Sequence, residues 1–319
     1  MDESIDSAAR EAILKAAEGL RGLEHVPAAH ADLFERVALA QWEVLRRLTG
    51  ALYPPIAPGT AAEMLRHGFY LIDFARLKLD AAALDRLCAE LCAVLARFGE
   101  ITPAQAERLQ RAVSGGKLSL TELGGAVFRG EQELIAQLAR RVRLPQRLLV
   151  WLATLTLRPF LAAAARSLEA HLQKLAGREG GSWPHAYCPV CGHDPYMAIT
   201  LRPEGRRQVE CSLCATRWEV RRGRCVFCGN EDKDSYRFFY YDLESPYRVD
   251  VCDKCHRYIK GADERKMASD KQVVLQAEDV ATLYLDVLAR RKRYQPPWTA
   301  LPGVKARSSK TTEEEVMRA

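Results

Sequence analysis

Eight of the ten cysteines in this chain of 319 residues fall in four Cys-x-x-Cys motifs: Cys188-Pro-Val-Cys191, Cys211-Ser-Leu-Cys214, Cys225-Val-Phe-Cys228 and Cys252-Asp-Lys-Cys255. Two intervening residues let a tight turn aim both sulfurs at one point, and two such turns face to face complete a tetrahedral shell of four thiolates. Gly192 and Gly229 directly follow the second cysteine of the first and third motifs. Glycine suits the left-handed backbone that such a turn asks for. The gaps suggest the pairing: nineteen residues separate motifs one and two, twenty-three separate three and four, and only ten lie between two and three. Ribbon-type sites place about 15–20 residues between their pairs, so one goes with two and three with four, nested or crossed pairing being the alternative. Four thiolates suit zinc or iron equally and leave no open position for water or substrate, which makes a structural role more natural than a catalytic one.

Competing uses of these side chains carry less. A redox dithiol needs a βαβ setting that the sequence around the motifs lacks, and disulfides belong to small exported proteins. Met1–Arg10 is acidic, without a basic segment and apolar run, so no secretory signal is expected there. Cys88 and Cys92 sit four apart on an apolar stripe and read as small buried hydrophobes. His185, His193 and His256 flank the motifs; with eight thiolates filling two shells, they read as exposed histidines rather than ligands. Tyr236, Phe238, Phe239, Tyr240 and Tyr241 read as packing within a β module rather than as a stacking platform for bases. Arg290–Arg293 reads as a solvated helix end. No paired carboxylates and no Ser/His/Asp set stand out, so the chain reads as a non-enzyme, with no catalytic and no organic-cofactor residues.

The elements that would carry the cysteines follow from periodicity. Residues 1–176 read as an all-helical domain. Leu33, Val37, Ala40, Leu45 and Leu48 form one stripe, ended by Pro54-Pro55. Leu84, Leu87, Cys88, Leu91, Cys92 and Leu95 form a second. Thr102-Pro103 predicts an N-cap with proline at the first helical position, and Ser119 with Glu122 a capping box. Further helices are expected over 131–142 and 146–173. The apolar stretch Leu148–Ala165 contains Arg158 and Pro159, so it predicts a buried helix broken near the proline rather than a membrane span. The Gly-rich residues 177–184 predict a linker. Beyond it, 185–223 and 224–300 predict two small four-cysteine modules, with strands at Met197–Leu201, Trp218–Val220, Arg237–Tyr241 and Tyr247–Val251. The second module ends in one amphipathic helix, Leu275–Tyr294, with Val280, Leu283, Tyr284, Val287 and Leu288 on its apolar face. Residues 301–319 are polar and predict a disordered tail. The fold class is α+β: a helical domain, two rubredoxin-like or zinc-ribbon modules and a C-terminal helix.

The cysteine region resembles the FdhE family of formate dehydrogenase accessory proteins. The residues that carry the likeness are His185-Ala-Tyr-Cys188-Pro-Val-Cys191-Gly192, Cys211-Ser-Leu-Cys214, Trp218-Glu-Val, Arg224-Cys225-Val-Phe-Cys228, Cys252-Asp-Lys-Cys255-His-Arg-Tyr-Ile-Lys260 and the run Glu278–Asp286. The order of parts is also similar. The resemblance implies a cytoplasmic, non-catalytic protein needed for assembly or activity of membrane-associated formate dehydrogenases of the molybdenum or tungsten and selenium type. It implies binding to their catalytic subunit before export. It further implies two iron ions held in rubredoxin-like fashion by Cys188, Cys191, Cys211, Cys214, Cys225, Cys228, Cys252 and Cys255, all eight of which are present.

Two other functions remain open on the residues alone. A zinc-ribbon nucleic-acid binder would use the interleaved aromatic and basic residues. Against it, residues 183–261 carry thirteen Lys/Arg and eleven Asp/Glu, and two divalent ions in four-thiolate shells would bring that stretch to about −2; nucleic-acid modules present a basic face. No nucleic-acid partner is therefore expected. An electron carrier in maturation would need iron in the shells. The formal charge of the whole chain, +6, is mild and argues for no particular partner.

Overall fold

The computed structural model describes residues 3–48, 51–176, 183–242 and 244–297. Residues 177–182 of the Gly-rich stretch and the C-terminal tail singled out above lie outside these. Chain contacts divide the protein into two units: Met1–Pro55 with Ile72–Ser167, and Ile56–Leu71 with Leu168–Ala319.

The first unit is helical: α1 (Glu3–Arg21) and α2 (Ala28–Arg47), then α4 (Ala81–Arg97), α5 (Pro103–Ser114), α6 (Leu120–Arg129), α7 (Gln132–Val142) and α8 (Gln146–Arg166); α3 (Pro58–Arg66) belongs to the second unit. The α4 stripe is buried as expected. On α2 the buried residues are Ala31, Phe34, Ala38, Ala40 and Gln41; the predicted Leu33, Val37 and Leu45 are only half-buried. Thr102 and Gln105 close a reciprocal capping box, and Ser119 accepts from the Glu122 amide.

The expected break at Pro159 does not occur. α8 runs through it and packs against α2, α4, α6 and α7. A proline has no N–H for the carbonyl four residues back. That carbonyl belongs to Leu155, and Gln41 Nε2 of α2 donates to it at 2.8 Å. A neighbouring helix thus supplies the donor that the proline removes. Among the described residues α8 is the one helix long and apolar enough to cross a membrane, and more than half of it is buried inside the protein.

The second unit is built on a six-stranded sheet of β1 (Pro195–Thr200), β2 (Arg207–Cys211), β3 (Arg217–Glu219), β4 (Tyr236–Phe239), β5 (Tyr247–Cys252) and β6 (Arg257–Asp263), in the order β3-β2-β1-β6-β5-β4. Each four-cysteine module contributes an antiparallel three-stranded meander. The two meanders join through the parallel pair β1–β6, with Ala198 opposite Gly261. The sequence reading anticipates four of these strands and misses β2 and β6.

One sheet face is covered by α10 (Leu275–Ala281) and α11 (Leu283–Arg291), while α9 (Glu169–Ala176) packs against α3. Val249, Val251 and Tyr258 meet Leu285 and Ala289, and Met197, Ile199 and Ala262 meet Leu275. The single predicted helix is two, broken at Thr282, and its expected apolar face is turned. Leu283 and Val287 are 41% and 50% exposed, while Leu285, Asp286 and Ala289 are buried. The cause is Lys260, whose buried ammonium rises from β6 into the break. It reaches Asp286 Oδ2 at 2.6 Å, Asp279 Oδ1 at 2.8 Å and the Asp279 carbonyl at 2.7 Å. Tyr258 adds a hydroxyl to Asp286 at 2.6 Å. The helices are oriented by a buried charge network as well as by apolar area, and apolar periodicity does not register such a network.

Candidate metal centres

The four motifs lie where strands end and turns begin. Cys211 closes β2 and Cys252 closes β5; Cys188–Cys191 precedes β1, and Cys225–Cys228 sits in the turn before β4. Each is followed by a residue with positive φ: Gly192 (78°), Ala215 (58°), Gly229 (73°) and His256 (53°). In the first and third turns the glycine N–H returns to the carbonyl of the first cysteine, at 2.9 and 3.0 Å. The backbone also faces sulfur: Val190 N–H donates to Cys188 Sγ and Leu213 N–H to Cys211 Sγ, both at 3.4 Å. Such donors stabilise thiolates.

The sulfurs gather in two groups, Cys188/Cys191/Cys211/Cys214 and Cys225/Cys228/Cys252/Cys255, each with all four sulfurs within 4.8 Å of one another. The sulfur–sulfur separations include 3.6 Å for Cys188···Cys214, 3.3 Å for Cys191···Cys211, 3.7 Å for Cys225···Cys255 and 3.6 Å for Cys228···Cys252. A tetrahedral ion with bonds of about 2.3 Å sets its sulfurs about 3.8 Å apart, so the donor sets fit one such ion each. All ten cysteines are free thiols rather than disulfides. Without an ion, burial pushes the Cys191 and Cys211 thiols up. In the second group the Cys255 thiol donates to Cys225, pulling Cys225 down to about 5, while Cys255 itself is pushed up. Cys88 and Cys92 belong to neither group and are buried in α4.

The two groups differ in exposure. Every sulfur residue of the first is buried; in the second Cys228 is exposed and Cys255 half-buried. Cys225 and Cys228 line a cleft of about 220 Å³ together with Trp183, His185, Arg221, Arg224 and Phe227.

Residues that sequence reasoning did not single out tie the groups together. Arg207 of β2 and Asp250 of β5, both almost fully buried, form an ion pair between the two meanders, and Arg207 Nη1 also reaches the Tyr236 hydroxyl at 2.9 Å. Arg257, after the fourth motif, pairs with Asp194, after the first, and its guanidinium lies 3.8 Å from the centroid of Phe227 in the third. Their charges pair across long sequence separations, which no local pattern reveals. The histidines also depart from the reading as exposed side chains. His193 is buried, and its carbonyl accepts from Cys188 N–H at 2.8 Å. His185 is half-buried, stacked on Tyr187 with ring centroids 5.1 Å apart and edge-on to Trp183. Tyr187 donates its hydroxyl to the Gly68 carbonyl at 2.5 Å, and Leu71 N–H donates to the Pro189 carbonyl at 3.1 Å. The His-Ala-Tyr triplet therefore holds the segment 68–71 against the first knuckle. Of the three, His256 alone is exposed. Of the five clustered aromatics, Phe239 packs under α11, whereas Phe238 and Tyr241 are exposed.

Fold and site together define the class: a mixed α/β protein with two four-cysteine centres, suited to tetrahedral ions, on one sheet. Over its cysteine-bearing part the chain matches models of the FdhE family. Residues 187–222 match FdhE, central domain, and residues 224–299 match FdhE, C-terminal domain. It is 36% identical over 115 residues to "Protein FdhE homolog" of Aquifex aeolicus, covering 35% of this chain and 40% of that protein. It is 30% identical over 151 residues to the homolog of Haemophilus ducreyi, covering 47% of this chain and 45% of that one. The match thus spans less than half the length of these curated relatives. The crystal structure of the FdhE protein from Pseudomonas aeruginosa superposes with a TM-score of 0.54 over 92% of this chain and 94% of that one; at 21% identity this is a likeness of fold.

Proposed function

We propose that this chain is a cytoplasmic, non-catalytic accessory protein for formate dehydrogenase, and that it docks on the catalytic subunit before that subunit is exported. In this reading Cys188, Cys191, Cys211 and Cys214 hold one ion, and Cys225, Cys228, Cys252 and Cys255 a second, iron or zinc. The single observation that supports it best is the pair of thiolate quartets lying within the stretches that match the two FdhE domains. Closed shells leave no position for a substrate, and ions that bind the folded state alone add their binding free energy to the stability of the sheet. Two experiments test it. Anaerobic purification with metal analysis and a visible spectrum should return two ions per chain and separate coloured iron from colourless zinc. Co-purification with a tagged formate dehydrogenase catalytic subunit should exceed that of a variant with the eight cysteines replaced by serine; equal recovery would count against docking.

A second reading, an electron carrier in maturation, is favoured by the exposure of Cys228, since an open edge brings a redox centre close to a partner. A reversible colour change on reduction of the iron-loaded protein is its requirement, and a protein that holds only zinc would remove it.

A further inference from the structure

The unequal exposure of the two quartets has a chemical consequence. The oxidation of a thiolate requires that the oxidant reach the sulfur. In the first quartet all four residues are buried. In the second, Cys225 and Cys228 open onto the cleft of about 220 Å³, far larger than a peroxide molecule, and Cys228 is exposed. Two cations, Arg221 and Arg224, line the same cleft beside the sulfurs, with Glu231 reaching Arg221 at 3.1 Å and Arg224 at 3.8 Å. A neighbouring cation stabilises the anion that leaves when a peroxide is split. The Cys252 sulfur lies 3.6 Å from that of Cys228, close enough to act as the resolving thiol.

From this we infer that Cys228 is an oxidative modification site, and that its oxidation discharges the second centre while the first stays loaded. The oxidant is hydrogen peroxide. The Cys228 thiolate attacks one peroxide oxygen; an S–O bond forms, the O–O bond breaks, and hydroxide leaves and takes a proton to become water. The Cys252 thiolate then attacks the sulfenic sulfur; the S–S bond forms, the S–O bond breaks, and hydroxide again leaves and takes a proton as a second water. Two thiolates lose two electrons in total, the peroxide gains them, and the divalent ion keeps its charge. Left with two thiolates, it is released.

The inference rests on the four-thiolate reading of both quartets, and the experiment separates the two. The full chain is loaded with zinc, which has no redox chemistry of its own, and zinc content is measured first. Two zinc ions per chain satisfy the underlying reading; fewer than two would overturn that reading before any oxidant is added. Hydrogen peroxide is then added beside a colorimetric zinc indicator, and the reaction is followed by peptide mass spectrometry after thiol blocking. The expected result is release of one zinc per chain about tenfold faster than the second, with a Cys228–Cys252 disulfide and with Cys188, Cys191, Cys211 and Cys214 still alkylatable. Arg224→Ala, which leaves all eight sulfurs in place, should slow the fast phase. Release of both ions at one rate, or first oxidation within the buried quartet, would overturn it. Peptide mapping on the unsubstituted protein decides the matter even where a Cys228→Ser variant does not fold.

Discussion

At the residue scale, the four knuckles differ in how their left-handed position is filled. Gly192 and Gly229 adopt positive φ without strain, whereas Ala215 and His256 carry a Cβ there. A left-handed non-glycine residue costs about 1–2 kcal/mol, and glycine returns part of that as unfolded-state entropy. Ala215→Gly should therefore stabilise the zinc-loaded protein by about 0.5 kcal/mol, read as a higher denaturant midpoint at unchanged slope. The converse change is harsher. A Cβ at Gly192 would stand 2.7 Å from the Tyr70 ring as well as in a left-handed conformation. Gly192→Ala should cost about 2 kcal/mol or more, while Gly229→Ala, which meets only the flexible end of Arg224, should cost less. Thermal melts of the two variants give the comparison. The two glycines were legible because glycine advertises its backbone; Ala215 and His256 were not, because neither residue type signals a left-handed turn.

At the element scale, the continuity of α8 through Pro159 depends on a side chain from α2. Gln41→Leu leaves the part-buried Leu155 carbonyl without its donor, a loss of about 1 kcal/mol. In a Pro159→Ala background the helix regains its own N–H, so the same Gln41→Leu change should cost markedly less. A double-mutant cycle by urea denaturation measures that coupling; purely additive losses would show that Gln41 acts by packing alone. The break at Thr282 has the opposite origin, a charge that enters between two helices. Lys260→Ala would leave Asp286 buried beside Tyr258 with no cation, a loss of about 3 kcal/mol, checked by the same denaturation. These contacts explain where periodicity misled. The α4 stripe was legible because its buried face is wholly apolar. The C-terminal helix was not, because Glu278 and Asp286 are buried while Leu283 and Val287 face out. Strand β6 was hidden by Lys260 and Gly261 within it, and β2 by Arg207 and Glu210, polar residues that are buried because they are paired.

At the scale of the whole molecule, the two units draw on different sources of stability. The first has a core of helices meeting α8, including Leu149, Leu157, Phe160 and Leu161, each at most 1% exposed, and its described residues hold no thiolate quartet. Among its described residues the second has apolar clusters against one sheet face, and its knuckles are closed by sulfurs that crowd together, six of the eight buried. The eight cysteines were legible as two quartets because cysteines are few, spaced by covalent geometry and unlike their surroundings. The fusion of the modules into one sheet was not, because the parallel β1–β6 pair joins residues some sixty apart in sequence and depends on tertiary packing. This division predicts the response to metal removal. Binding of an ion to the folded state alone adds its full binding free energy to stability. A strong chelator in excess should therefore unfold the sheet unit at a temperature where the helical unit persists. Far-UV circular dichroism should keep its helical bands, while tryptic cleavage should appear within 185–297 and spare 81–166. Restoring zinc under reducing conditions should reverse the cleavage pattern. A chelated protein that melts in one transition, at the same temperature as the loaded form, would show that apolar packing holds the sheet without the ions.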